Sequence, residues 1–257
     1  MAIRSHIQIP KTILKHFQDE LDSERKIWYL DIESNQICRK SAGLLGTSKG
    51  YYSKDGEAYW SKTIENPIGK LNQQVLAFCS GELQSTTFHP NDMDVVKRYI
   101  QSAIVRSEST FAAMKTAISN PECYKGQQLH DALSIIGMTV VGEITDALDF
   151  DNMIATILVN RTEQNFVVPR NCFYCVMRNS YPNYIMPISP KGALLLLPGD
   201  QIHNSSGNYG IIDDPEQIKI LNKHALKYES ILNGAFVASN CCTELEYLQK
   251  ILLNPPW

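Results

Sequence analysis

What this sequence lacks narrows its function before any motif is considered. Its 257 residues contain no apolar run near the roughly 20 residues that span a bilayer; the longest, ALLLLP at 193–198, is strand-sized. The opening MAIRSHIQIPKTILKHF has no apolar core of the kind a signal peptide requires. A cytoplasmic location without membrane insertion is therefore expected. No excess of one charge sign exists either: 24 basic and 27 acidic residues are interspersed for a net charge of −3, so a broad electropositive track for nucleic-acid backbone is not expected. G-x-G-x-x-G, G-x-x-x-x-G-K-[ST], G-x-S-x-G and H-E-x-x-H are all absent. The signatures of dinucleotide folds, P-loops, the hydrolase elbow and metalloproteases are thus missing.

The seven cysteines are an odd, dispersed set that fits reduced, buried thiols better than a disulfide framework. Cys172 and Cys175 form one Cys-x-x-Cys pair inside VVPRNCFYC (167–175). A zinc site needs a second pair or clustered histidines, and Cys241 and Cys242 are adjacent, so on an extended segment they point opposite ways. In a strand Cys172 and Cys175 also project to opposite faces. No metal site is expected, and no cofactor follows from the sequence.

Periodicity divides the chain. Pro10 opens a short helix with Ile13, Leu14, Phe17 and Leu21 on one face, and KIWYLD (26–31) with QICRK (36–40) reads as a β-hairpin. Helical spacing runs through 57–150. A kink or restart is expected at Pro67, a helix capped by Asn91 follows, and further helices cover 111–118 and 129–148, where Gly137 and Gly142 imply close packing. From 151 to 257 strand-length runs dominate. Asp214–Pro215 starts one helix, and Thr243 with Glu246 forms a capping box for the last. The expected fold is α+β and single-domain: an N-terminal helix and hairpin, a helical middle, and a mostly antiparallel C-terminal sheet flanked by helices.

Several stretches resemble the domain of unknown function 4238 family, whose members open with H-[YI]-V-P-x-x-[YI]-L-x-x-F. Here His6, Pro10 (shifted by one position), Ile13, Leu14 and Phe17 match it. The likeness continues through Tyr51–Tyr52, Glu65 in TIENPIGKL, Arg106–Ser107 in QSAIVRSESTF, the strand Phe166–Cys172, the step Pro187–Pro190, and Leu221–Asn222. In one departure the family's Ser-Asp-Asn-Pro is here Pro169, Arg170, Asn171 and Cys172. Arginine carries the opposite charge to the aspartate it replaces and cannot act as a base at neutral pH.

The resemblance singles out His6, Glu65, Arg106, Asn171, Ser189 and Asn222 as polar residues in apolar surroundings. One expectation is an enzyme that processes a phosphate-containing substrate, a nucleic acid or nucleotide, as an effector of a bacterial defence or toxin-like system. His6 and Glu65 would be its catalytic residues, and Arg106, Arg170, Asn171 and Ser189 would hold the phosphate or ligand. The alternative is a non-enzymatic binding or regulatory module acting through a protein partner or as a homo-oligomer. A third reading makes Glu65 and Arg106 a buried ion pair and His6 and Asn171 capping residues.

Overall fold

The computed structural model describes residues 4–6, 9–49, 51–84, 90–107, 110, 113–114, 116, 130–133, 137, 152–178, 181–199, 209–231 and 236–254. The elements are β1 (Arg4–His6), α1 (Lys11–Leu14, running into a tight turn to Phe17), β2 (Lys26–Asp31), β3 (Gln36–Ser41), β4 (Thr47–Lys49), α2 (Lys54–Trp60) and α3 (Asn66–Cys79). Then come α4 (Pro90–Val105), β5 (Met153–Asn160), β6 (Val168–Pro169), β7 (Tyr174–Arg178), β8 (Tyr181–Ser189), β9 (Gly192–Pro198), β10 (Tyr209–Ile212), α5 (Pro215–Ile231), β11 (Phe236–Ser239) and α6 (Cys242–Leu253). The fold is α+β, with helices flanking its sheets. None of the described helices is long and apolar enough to cross a membrane.

Two sheets organise the C-terminal half. The larger has the order β10-β5-β9-β8-β7 and is antiparallel except where β10 runs parallel to β5. The smaller, β3-β2-β11-β6, joins the N-terminal hairpin to a strand from near the other end of the chain. Strand β8 is buried continuously from Asn183 to Ser189. That is the pattern of a strand covered on both faces rather than one alternating between core and water. On one side α1, α3 and α4 pack around Ile13, Phe17, Ile68, Val75, Tyr99, Met186 and Leu194. On the other α5 and α6 pack around Tyr174, Ile185, Leu226, Val237 and Leu248.

Local signals account for many boundaries. The Ser53 hydroxyl accepts a hydrogen bond from the Gly56 amide (3.0 Å) and caps α2. Asp214 accepts from the Glu216 amide (2.9 Å) at the start of α5, with Pro215 in the first turn. At Pro67 the backbone stays helical, with Asn66 still in the α region, and changes register instead of restarting: Ser61–Glu65 forms one wide π turn, and Pro67 occupies the opening turn of α3. Gly137 is required by packing, because a Cβ there would lie 2.6 Å from Val105 Cγ1. The rest of the expected helices at 111–118 and 129–148, Gly142 included, falls largely outside the described residues.

Several local expectations change: Leu21 lies beyond the first helical segment and is 99% exposed, and α4 begins at Pro90, so Asn91 is inside the helix rather than its cap. Helix α6 begins at Cys242 with Cys241 at its cap, so Thr243 and Glu246 lie inside the helix on its exposed side. Glu244 is the carboxylate used instead: it turns inward, accepting from the Asn165 amide (3.0 Å) and contacting the Cys241 thiol. Cys172 is in a turn rather than a strand, with a left-handed backbone (φ 67), and its amide donates to the Pro169 carbonyl at 2.9 Å. The strand begins only at Tyr174.

Candidate functional site

Two helices and a short N-terminal strand bring three of the expected residues together. Arg106 follows the last turn of α4, Glu65 ends the π turn before α3, and His6 lies on β1 opposite Thr47. Arg106 Nη1 is 3.6 Å from Glu65 Oε1, with the arginine side chain wholly buried and the glutamate 27% exposed. The guanidinium sits over the Trp60 ring, 4.9 Å from its centroid, and its Nε donates to the Ser102 carbonyl at 3.3 Å. Stacking and the carboxylate together compensate a charge that would be costly to bury alone. A π turn inserts one residue into the helical register, and here it aims Glu65 between Arg106 and solvent.

His6 is kept neutral. Burial lowers its pKa from 6.5 to about 4; a backbone hydrogen bond to Ile9 opposes this, and the charges of Lys11 and Arg106 lower it further. Its Nδ1 is buried and makes no hydrogen bond. A folded-state pKa below the unfolded value means the unfolded chain binds the extra proton first. His6 therefore contributes stability that is complete above pH 6.5 and is lost as pH falls through about 4. Denaturant midpoints measured across that window are expected to fall with acid, and less steeply in His6→Gln; an unchanged slope would exclude this role.

Further inward, the Tyr99 hydroxyl meets the Cys172 thiol, and burial raises the pKa of both; the charges of Arg106, Glu65 and, for Cys172, Glu229 act on them as well. Cys172 is thus held as a protonated thiol, the inert form of the side chain. The neighbouring step, Arg170–Asn171, is buried. The Arg170 amide donates to the Phe236 carbonyl (3.1 Å), while the Asn171 amide and side chain both donate to Glu229 Oε2 (3.3 and 3.0 Å). Asn222 is a structural tie, accepting from the Val167 amide (3.0 Å) and donating to the Asn165 carbonyl (2.8 Å). Among the described residues no three His, Cys, Asp or Glu side chains gather as metal ligands.

Ser189 stands apart. Its hydroxyl accepts from the Lys191 amide (3.3 Å) and lines a cleft of about 620 Å³ with Lys15, His16, Arg25 and Lys191. A second cleft, about 390 Å³, lies between α1 and α3 and is lined by Thr12, His16, Glu65, Lys70, Asn72 and Gln73. His16 belongs to both, and burial with the nearby Lys15 charge lowers its pKa.

His6, Glu65 and Arg106 therefore form one cluster, with Asn171 linked to it through Glu229 and Cys172, whereas Ser189 faces a different cleft. Only Glu65 of that trio lines one of these clefts. The sequence expectations omitted His16, Lys70 and Asn72. His16 reads as an ordinary surface or core histidine, but Asn72 left a signal, a polar side chain among the buried residues Ile68, Leu71 and Val75 of α3. Comparisons of the chain with family models, with curated proteins and with solved structures give no match.

Proposed function

We propose that the protein is an enzyme acting on a phosphate-containing substrate, a nucleotide or a nucleic-acid strand, in the cleft onto which Glu65 opens. One observation carries this reading. Glu65 is fixed from behind by the buried Arg106 and lines a concavity that His16 and Lys70 also line. A positioned carboxylate, a histidine held neutral and a cation form a set suited to general acid–base attack on a phosphate ester. Glu65 orients the attacking water and takes its proton as the new P–O bond forms; neutral His16 relays that proton to the oxygen of the breaking P–O bond, accepting at one ring nitrogen as it donates from the other, and Lys70 offsets the phosphate charge.

Arg106 and His6 act indirectly. The guanidinium has no exposed surface, so it positions Glu65 while phosphate contact passes to Lys70. His6, being neutral, adds no second positive charge that would compete with Arg106 for the carboxylate. The resemblance to the domain of unknown function 4238 family, and the defence or toxin-like effector role it implies, belong to the same proposal.

The test is a hydrolysis screen over nucleoside phosphates and short single-stranded DNA and RNA. Glu65→Gln, which keeps the shape and removes the base, is expected to lose about a hundredfold in kcat/KM. Full activity in that variant, or none in the wild type, would reject the proposal. Supporting the alternative of a partner-binding module are Met177 and Tyr181, 64% and 48% exposed at the paired ends of β7 and β8. Self-association in analytical ultracentrifugation, together with an inactive wild type, would favour that module.

A further inference from the structure

Helix α3 makes two sacrifices at the Glu65 cleft. The first is Asn72, which is 2% exposed and whose Oδ1 and Nδ2 both lack a hydrogen-bond partner. A buried amide without partners is costly, and native interiors seldom carry one without a reason. The second is Gly69, three residues earlier and lining the same cleft. Glycine inside a helix is markedly worse than alanine, yet no packing demands it here. Beyond its own helix, no described atom lies within 4 Å of where a Cβ would stand. A side chain at this position would simply occupy the cleft.

Both sacrifices are accounted for if the cleft receives a ligand that needs its floor open and that pairs with a carboxamide. We propose that this cleft is a base-binding subsite for an adenine nucleotide, lying over Gly69 and recognised by the Asn72 side chain. The proposal rests on the nucleotide reading above and specifies its base. A carboxamide presents an acceptor beside a donor. Adenine presents the complement, an exocyclic N–H next to the ring acceptor N7, and Asn and Gln read adenine this way in nucleic-acid grooves. The Asn72 amide must rotate toward the cleft to make this pair. Since neither of its polar atoms is held by a hydrogen bond, the rotation breaks none. A volume of about 390 Å³ lies within the range of small-molecule sites. Glu65 at the rim places the attacked phosphate within the same ligand.

The full chain is titrated by calorimetry with adenosine, guanosine and ribose 5-phosphate, using wild type, Asn72→Leu and Gly69→Leu. Adenosine is expected to bind at least about tenfold more tightly than guanosine, which offers two acceptors on the same edge. Gly69→Leu is expected to abolish adenosine binding while raising the melting temperature by a few degrees. This combination distinguishes a filled cleft from a damaged fold. No saturable heat with millimolar adenosine, equal binding of both nucleosides, or retained binding in a folded Gly69→Leu would overturn the subsite; an ordered water would then be what satisfies Asn72. If adenosine fails to bind while Glu65-dependent hydrolysis persists, the subsite falls and the enzymatic reading stands. Selective adenosine binding without hydrolysis is the reverse.

Discussion

Replacing Glu65 by alanine is expected to lower the unfolding free energy by about 3 kcal/mol, near the lower end of what removal of one partner from a buried ion pair costs. The loss falls on Arg106. Its side chain has no exposure, so a desolvated positive charge loses the carboxylate 3.6 Å away while keeping contacts that include the Trp60 face and the Ser102 carbonyl. Those remaining contacts are the reason for choosing the lower end. Glu65 is itself 27% exposed, so the reverse change, Arg106→Met, leaves a carboxylate that water can reach and costs less on the charge side. Urea unfolding of both single variants and of the double variant closes the cycle. A coupling near zero would show that the two groups are neighbours without being a pair, and would remove the support for Glu65 as a positioned base.

A loss of similar size, about 3 kcal/mol, is expected for Glu229→Ala. Glu229 is completely buried in α5, and its Oε2 receives both the Asn171 main-chain amide and the Asn171 side chain. Alanine would remove the acceptor that both donors use, at about 1–3 kcal/mol for a buried donor that loses its hydrogen bond, and would add a cavity. It would also release the turn in which Cys172 holds a left-handed backbone, a conformation that needs support from its surroundings. Glu229→Gln retains an acceptor oxygen and is expected to be much milder. Equal destabilisation by Ala and Gln in thermal unfolding would show that charge, rather than hydrogen bonding to Asn171, is what the site requires.

The sequence shows some of this architecture and hides the rest for identifiable reasons. The β2–β3 hairpin, the Asp214–Pro215 start of α5 and the interruption before Pro67 depend on residues within a few positions of each other, so local chemistry reveals them. The insertion of β11 between β2 and β6 is a long-range choice that no local pattern encodes. The capping box at Thr243 and Glu246 is a sound local signal, overridden because Glu244 finds the Asn165 amide, a partner 79 positions away. The candidate site divides in the same way. His6, Glu65 and Arg106 stand out as polar residues among apolar ones, but the clefts bounded by His16 arise only when α1 lies against α3 and against the β8–β9 turn.

The smaller sheet also sets a schedule for biosynthesis. Strand β2 leaves the ribosome about two hundred residues before its neighbour β11. At typical elongation rates the wait is roughly 10 to 40 seconds. Throughout that interval one edge of β2 has its backbone groups unpaired, and such an edge is a template for association with other chains. Ribosomal pausing between positions 41 and 236 would lengthen the exposure, and a chaperone that shields nascent β-edges would shorten it. Soluble yield should therefore respond to translation speed and chaperone supply more strongly than the stability of the finished protein would suggest.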